Sequence, residues 1–112
     1  MKVLVYGAGA VGGYIGSHLI ENGLDVTFIA RGIHLKNIAD KGLQIILEKE
    51  DKTIFPSFAS DSITSLKNIK FNVVIIAVKA WQVKAAAKDV LPYTSSETLL
   101  ISVQNGIDSP YE

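Results

Sequence analysis

Short apolar runs alternate along this chain with stretches whose apolar residues recur at helical spacing, and that alternation predicts the order of elements. Lys2 to Tyr6 (KVLVY) is brief, β-branched and closed by Gly7, the pattern of a buried strand. Ala10 to Asn22 places Val11, Ile15 and Leu19 four apart on one face, as a helix packed on a core requires. Gly23 follows and suits a left-handed helix stop. Asp25 to Ala30 (DVTFIA) predicts a second strand. A strand, a helix and a strand within about thirty residues need a crossover connection, and hence a parallel pair.

The pattern continues less evenly. His34 to Lys41, after Arg31-Gly32, predicts a short helix. Leu43 to Leu47 and Thr53 to Phe58 flank a charged tip, Glu48 to Lys52, and read as a hairpin or as two edge strands. Asp61 to Ile69 reads as a turn plus a short helix. Asn72 to Val78 (NVVIIAV) is the most hydrophobic strand, apolar on both faces as a central parallel strand should be. Trp81 to Leu91 predicts a helix stopped by Pro92. Thr98 to Val103 predicts a further strand, with Gln104-Asn105-Gly106 in the loop at its C-terminal end. Strands alternating with helices through parallel crossovers imply an α/β protein with a doubly wound, Rossmann-type parallel sheet. Ligands of such sheets bind outside the C-terminal strand ends, at the point where strand order reverses. Three loops are therefore expected to meet there: Gly7 to Gly12, Lys79 with its neighbours, and Gln104 to Gly106.

Composition narrows the possibilities. The 112 residues make one domain with enough chain to bury a core. Lysine plus arginine number 11, as do aspartate plus glutamate, so charge gives no reason to expect nucleic acid or an anionic membrane as partner. The chain has no cysteine, which excludes disulfides, cysteine-based zinc sites and thiol catalysis, and fits a cytoplasmic protein. The apolar run Val3 to Tyr6 is too short for a signal peptide and gives way at once to a glycine-rich stretch. No run approaches the length of a transmembrane helix.

Candidate chemistry lies in the three loops. Gly7-Ala8-Gly9-Ala10-Val11-Gly12 matches G-x-G-x-x-G, and it stands in the context that gives the string meaning, after a predicted strand and opening a predicted helix. Gly7 is expected to make the tight turn, Gly9 to admit the phosphates, and Gly12 to let helix and strand pack closely. A pyrophosphate would then rest on free N–H groups at the positive end of the helix; the bland alternative is a glycine turn with no ligand. The second strand ends Ile29-Ala30-Arg31, with no acid to accept from ribose hydroxyls. Arg31 can instead grip the 2′-phosphate of NADP by forked, charge-assisted hydrogen bonds worth about 1.5–3 kcal/mol, or it is a plain surface arginine. Asp25 is no substitute, because it starts the strand at the wrong end of the sheet. Lys79 ends the central strand and points toward the crevice, where it could donate to a cofactor ribose or a substrate carboxylate; otherwise it is a solvated strand-end lysine. Trp81 is expected to pack rather than to react. Asn105 carries a donor and an acceptor and could bridge cofactor and substrate, or belong to an ordinary Asn-Gly turn. His18 is expected at the surface or in packing, His34 has no evident metal partner, and no metal site or nucleophile–base pair stands out.

Together these residues resemble the ketopantoate reductase (2-dehydropantoate 2-reductase) family. The matching segments are GAGAVGGYIG at Gly7 to Gly16, Arg31-Gly32 with His34-Leu35, Gly42-Leu43, VKAWQV at Val78 to Val83, and QNGI at Gln104 to Ile107. The glycine loop is common to many dehydrogenases; its combination with the later segments is far more specific. The resemblance implies NADPH-dependent reduction of 2-dehydropantoate to pantoate, a step toward pantothenate. By position it implies that Gly7, Ala8, Gly9, Ala10, Val11 and Gly12 hold the pyrophosphate and Arg31 the 2′-phosphate. Lys79 would contact the cofactor on its nicotinamide side, and Asn105 both cofactor and substrate. It further implies a helical substrate domain that supplies a general-acid lysine. Residues 1–112 are thus expected to be an incomplete NADP-binding domain, with no catalytic residue of its own, inactive alone and prone to self-association through an exposed sheet edge. Two other readings fit the loop: a stand-alone NAD(P)-sensing regulatory module, which usually keeps the acid at the second strand's tip, and the cofactor domain of a related 2-keto acid reductase.

Overall fold

In the computed structural model, which describes residues 1–7, 10–30, 36, 38, 42–46, 51–56, 58–66 and 69–103, the first strand β1 spans Lys2–Tyr6, as its short β-branched run predicts. Helix α1 spans Ala10–Glu21, and β2 spans Asp25–Ile29. The turn between them is built on Gly23 at φ +84°. Its N–H donates to Ile20 O at 2.9 Å, and Leu24 N–H donates to Leu19 O at 3.1 Å, the paired bonds of a Schellman stop. β1 and β2 run parallel, Lys2 beside Asp25 and Tyr6 beside Ile29. Asp25 therefore lies at the N-terminal edge of the sheet, away from the strand tips where Gly7 lies.

The segment after β2 departs from expectation in two respects. β3 (Leu43–Ile46) and β4 (Asp51–Ile54) pair antiparallel as a separate two-stranded sheet lying against α1, so the hairpin reading holds. The second apolar run does not stay in that hairpin through Phe58. Pro56 breaks it, lacking the N–H a ladder needs, and Phe58–Ser60 becomes β5, parallel to β2 on the main sheet. A single 3₁₀ turn at Ile63–Ser65 stands where a turn and short helix were expected. Lys36 and Ile38 are helical; the rest of the helix expected at His34 to Lys41 lies outside the described residues.

β6 (Val73–Ile76) and β7 (Leu99–Ser102) complete a five-stranded sheet in the order β5–β2–β1–β6–β7, with every neighbouring pair parallel. The middle strand is β1, with β6 beside it in the interior. The chain grows outward from β1 to β2 and β5, then returns to β6 on the other side of β1. That reversal is the topological switch point. Alternation along β1 feeds two cores. Val3 and Val5 join Val26, Phe28 and Ile75 under Ile15 and Leu19 of α1. Leu4 joins Val74, Ile76, Ala86 and Val90 on the opposite face, under helix α2 (Val83–Val90). Cover on both faces makes the sheet doubly wound. The helix predicted at Trp81 to Leu91 is shorter than expected. A 3₁₀ turn at Ala80–Gln82 precedes α2, and another at Leu91–Tyr93 follows it and absorbs Pro92 in its first positions. β7 forms by ladder bonds to β6 although all four of its residues are exposed.

Candidate functional site

The tip of β1 is held from both sides. Gly7 N–H donates to Ile29 O of β2 at 2.8 Å, and Ala77 N–H, just past β6, donates to Tyr6 O at 2.9 Å. Gly7 then turns the chain at φ +99°. A β-carbon there would meet Ala77 O at 2.5 Å and Val78 Cγ1 at 2.9 Å, so strain and crowding both demand glycine. Gly12, in the first turn of α1, is buried, and a β-carbon on it would collide with Gly7 O and lie 3.1 Å from Ala77 Cβ. The helix therefore starts pressed against the turn that feeds it and against the tip of β6. The N–H groups opening α1, from Ala10 and Val11 onward, have no acceptor within the helix. A turn that admits no side chain at Gly7 or Gly12, with free N–H groups at the start of the helix it feeds, suits a diphosphate.

Lys79 sits on the far wall. The chain leaves β6 through Ala77 and Val78, the residues that Gly7 touches, and Lys79 follows, exposed and extended (φ −66°, ψ 150°). Its N–H donates to Gln82 Oε1 at 3.2 Å, and its carbonyl accepts Gln82 N–H at 2.8 Å, which closes the turn. Gly7, Gly12 and the segment carrying Lys79 thus meet at the switch point, as the spacing predicts. Ala8, Gly9, Arg31 and Asn105 lie outside the described residues, as do Gln104, Gly106 and His34. β2 is described through Ile29, with Ala30 N–H donating to Ser60 O at 2.9 Å, and Arg31 is the next residue.

One expectation changes and two residues are new. Trp81 does not pack: it is 77% exposed, because its turn buries no residue. His18 is half-buried against Tyr14, ring centroids 4.5 Å apart and edge to face, in keeping with a packing role. Gly16 was not singled out, yet a β-carbon on it would strike the ring of Phe28, a fully buried side chain of β2. Its spacing of four from Gly12 was the available signal, but nothing in the sequence says which aromatic faces it. The Tyr6 hydroxyl donates to Asp89 Oδ2 at 2.9 Å, tying the tip of β1 to α2; a tyrosine in an apolar strand gave no hint of that partner. Among the described residues no group of three or more His, Asp or Glu side chains could hold a metal ion, and no helix is long and apolar enough to cross a membrane.

A family model described as ketopantoate reductase PanE/ApbA matches residues 3–112. The chain belongs to that family. An uncharacterized oxidoreductase of Bacillus subtilis, YkpB, is 42% identical over 106 residues, covering 95% of this chain and 34% of its own length. A 2-dehydropantoate 2-reductase of Mesorhizobium japonicum is 32% identical over 108 residues, covering 96% and 32%. Among solved structures, a PanE/ApbA family ketopantoate reductase from Ralstonia eutropha superposes with a TM-score of 0.79 at 33% identity, over 96% of this chain and 35% of the other. A D-mandelate dehydrogenase in complex with NADH superposes with a TM-score of 0.72 at 25% identity, over 96% and 32%. The chain spans about a third of the length of these family members.

Proposed function

We propose that this chain is the NADPH-binding part of a 2-keto acid reductase and that its substrate is 2-dehydropantoate. The observation that carries the reading is the contact of Gly7 and Gly12 with the tip of β6, which sets the glycine turn and the start of α1 at the switch point. Gly7 to Gly12 hold the pyrophosphate. Arg31, two residues past the end of β2, holds the 2′-phosphate, which an acid at that tip would repel. Lys79 contacts the nicotinamide half, and Asn105 contacts both cofactor and substrate. NADPH, when bound, supplies a hydride to the keto carbon. The family resemblance assigns the proton donor to a lysine outside residues 1–112, so these residues bind and orient rather than complete the reaction. The exposed edge strand β7 supports a further proposal, self-association through that edge.

A second reading keeps the reductase and changes cofactor and acid. The D-mandelate dehydrogenase bound to NADH has the same first-domain fold. Calorimetric titration separates the two. The NADPH reading expects binding about ten times or more tighter for NADPH than for NADH, with the preference lost in Arg31→Ala and little or no turnover of 2-dehydropantoate by the chain alone. Equal or tighter NADH binding would sink the NADPH assignment, and rapid turnover by this chain would sink the division of labour.

A further inference from the structure

The β6 wall of the crevice carries a side chain that the proposed reaction leaves unused. Trp81 is the chain's sole tryptophan, and at 77% exposure it is the most exposed of its large apolar side chains among the described residues. It stands two residues beyond Lys79 in the closed turn Ala80–Gln82, past the C-terminal end of β6. That turn is held by the Lys79–Gln82 bonds and buries none of its own residues, so the indole plays no part in the core. The segment that leads into this turn lies against the glycine turn, since a β-carbon on Gly7 would meet Ala77 O and Val78 Cγ1. Between Ala77 and Gln82, Trp81 carries the one broad apolar side chain.

The topology says which half of a dinucleotide would lie there. In a doubly wound sheet the adenosine half sits over the tip of the second strand and the pyrophosphate over the first helix. The other half must then cross to the β6 side. A nicotinamide ring placed there is flat and needs an apolar wall to shed water, which an indole supplies at small cost in side-chain entropy. We propose that Trp81 covers the nicotinamide end of the bound cofactor and is a further contact residue for it; this rests on the NADPH reading above.

Acrylamide quenching of Trp81 emission, excited selectively, tests the contact without a variant. Saturating NADP⁺ is expected to lower the quenching constant about twofold or more, whereas adenosine 2′,5′-bisphosphate, which lacks the nicotinamide half, leaves it unchanged. Calorimetry on Trp81→Ala is expected to show NADP⁺ affinity reduced about three- to tenfold, with Trp81→Phe close to wild type and the bisphosphate bound equally by all three. The substitutions lie in an exposed turn, so unchanged thermal unfolding accompanies them. Calorimetric binding of NADP⁺ without shielding, or with Trp81→Ala unaffected, overturns this inference and leaves the NADPH reading standing. Shielding by the bisphosphate as well would place Trp81 at the wrong half and overturn it too. No calorimetric binding of either ligand overturns both.

Discussion

At the scale of single residues, the glycines divide by what forbids a side chain. Gly7 is fixed by backbone sign and by the Ala77 carbonyl, Gly16 by the Phe28 ring, and Gly23 by backbone sign alone, since nothing lies within 4 Å of a β-carbon there. The costs should differ accordingly. Gly23→Ala is expected to lose about 1–2 kcal/mol, the strain of a left-handed residue. Gly16→Ala is expected to lose about 1–3 kcal/mol by overpacking, and to shift α1 with it. Urea unfolding of the two variants measures both; a neutral Gly16→Ala would contradict the packing described. Gly7, Gly12 and Gly23 were legible because a turn or a motif demands glycine at a fixed offset from a strand or helix end. Gly16 was not, because its reason is a contact between elements brought together only by the fold. The exposure of Trp81 escaped for a related reason: helical spacing placed it in a longer amphipathic helix, whereas the chain makes a 3₁₀ turn there with its own hydrogen bonds.

Among the elements, those with a strong period and a clear stop could be read closely. β1, α1 and β2 fall where apolar spacing, Gly7 and Gly23 put them. The run Thr53 to Phe58 could not be read so well, because periodicity does not say to which sheet a strand belongs. Pro56 divides it between the hairpin and the main sheet. β7 presents the opposite case. Its strand was legible, but its exposure on both faces depends on what packs over it, since α1 and α2 cover the cores around β1, β2 and β6 instead. A parallel strand with Leu99, Leu100 and Ile101 exposed is a template for pairing. Sedimentation of this chain is expected to show an average mass that rises with concentration, and Leu100→Lys is expected to suppress the rise. A wild-type chain that stays monomeric at high concentration would remove the self-association proposal.

For the whole molecule, the doubly wound topology concentrates the site. Reversal of strand order between β5 and β6 leaves the tips of β1 and β6 side by side, and the glycine turn, the start of α1 and the Lys79 turn converge there. The fold class and switch point were legible in the sequence because parallel crossovers allow few topologies. The chemistry beyond the crevice was not, because this chain matches about a third of the length of the family members it resembles. Amide chemical shifts during titration with NADP⁺ test the central claim most directly. The account predicts that the largest changes fall on Gly7, on Ala10 to Gly13 and on Ala77 to Lys79, while Lys2, Gly23 and Asp25 at the opposite edge stay still. Changes centred on that opposite edge, or none at saturating NADP⁺, would contradict it.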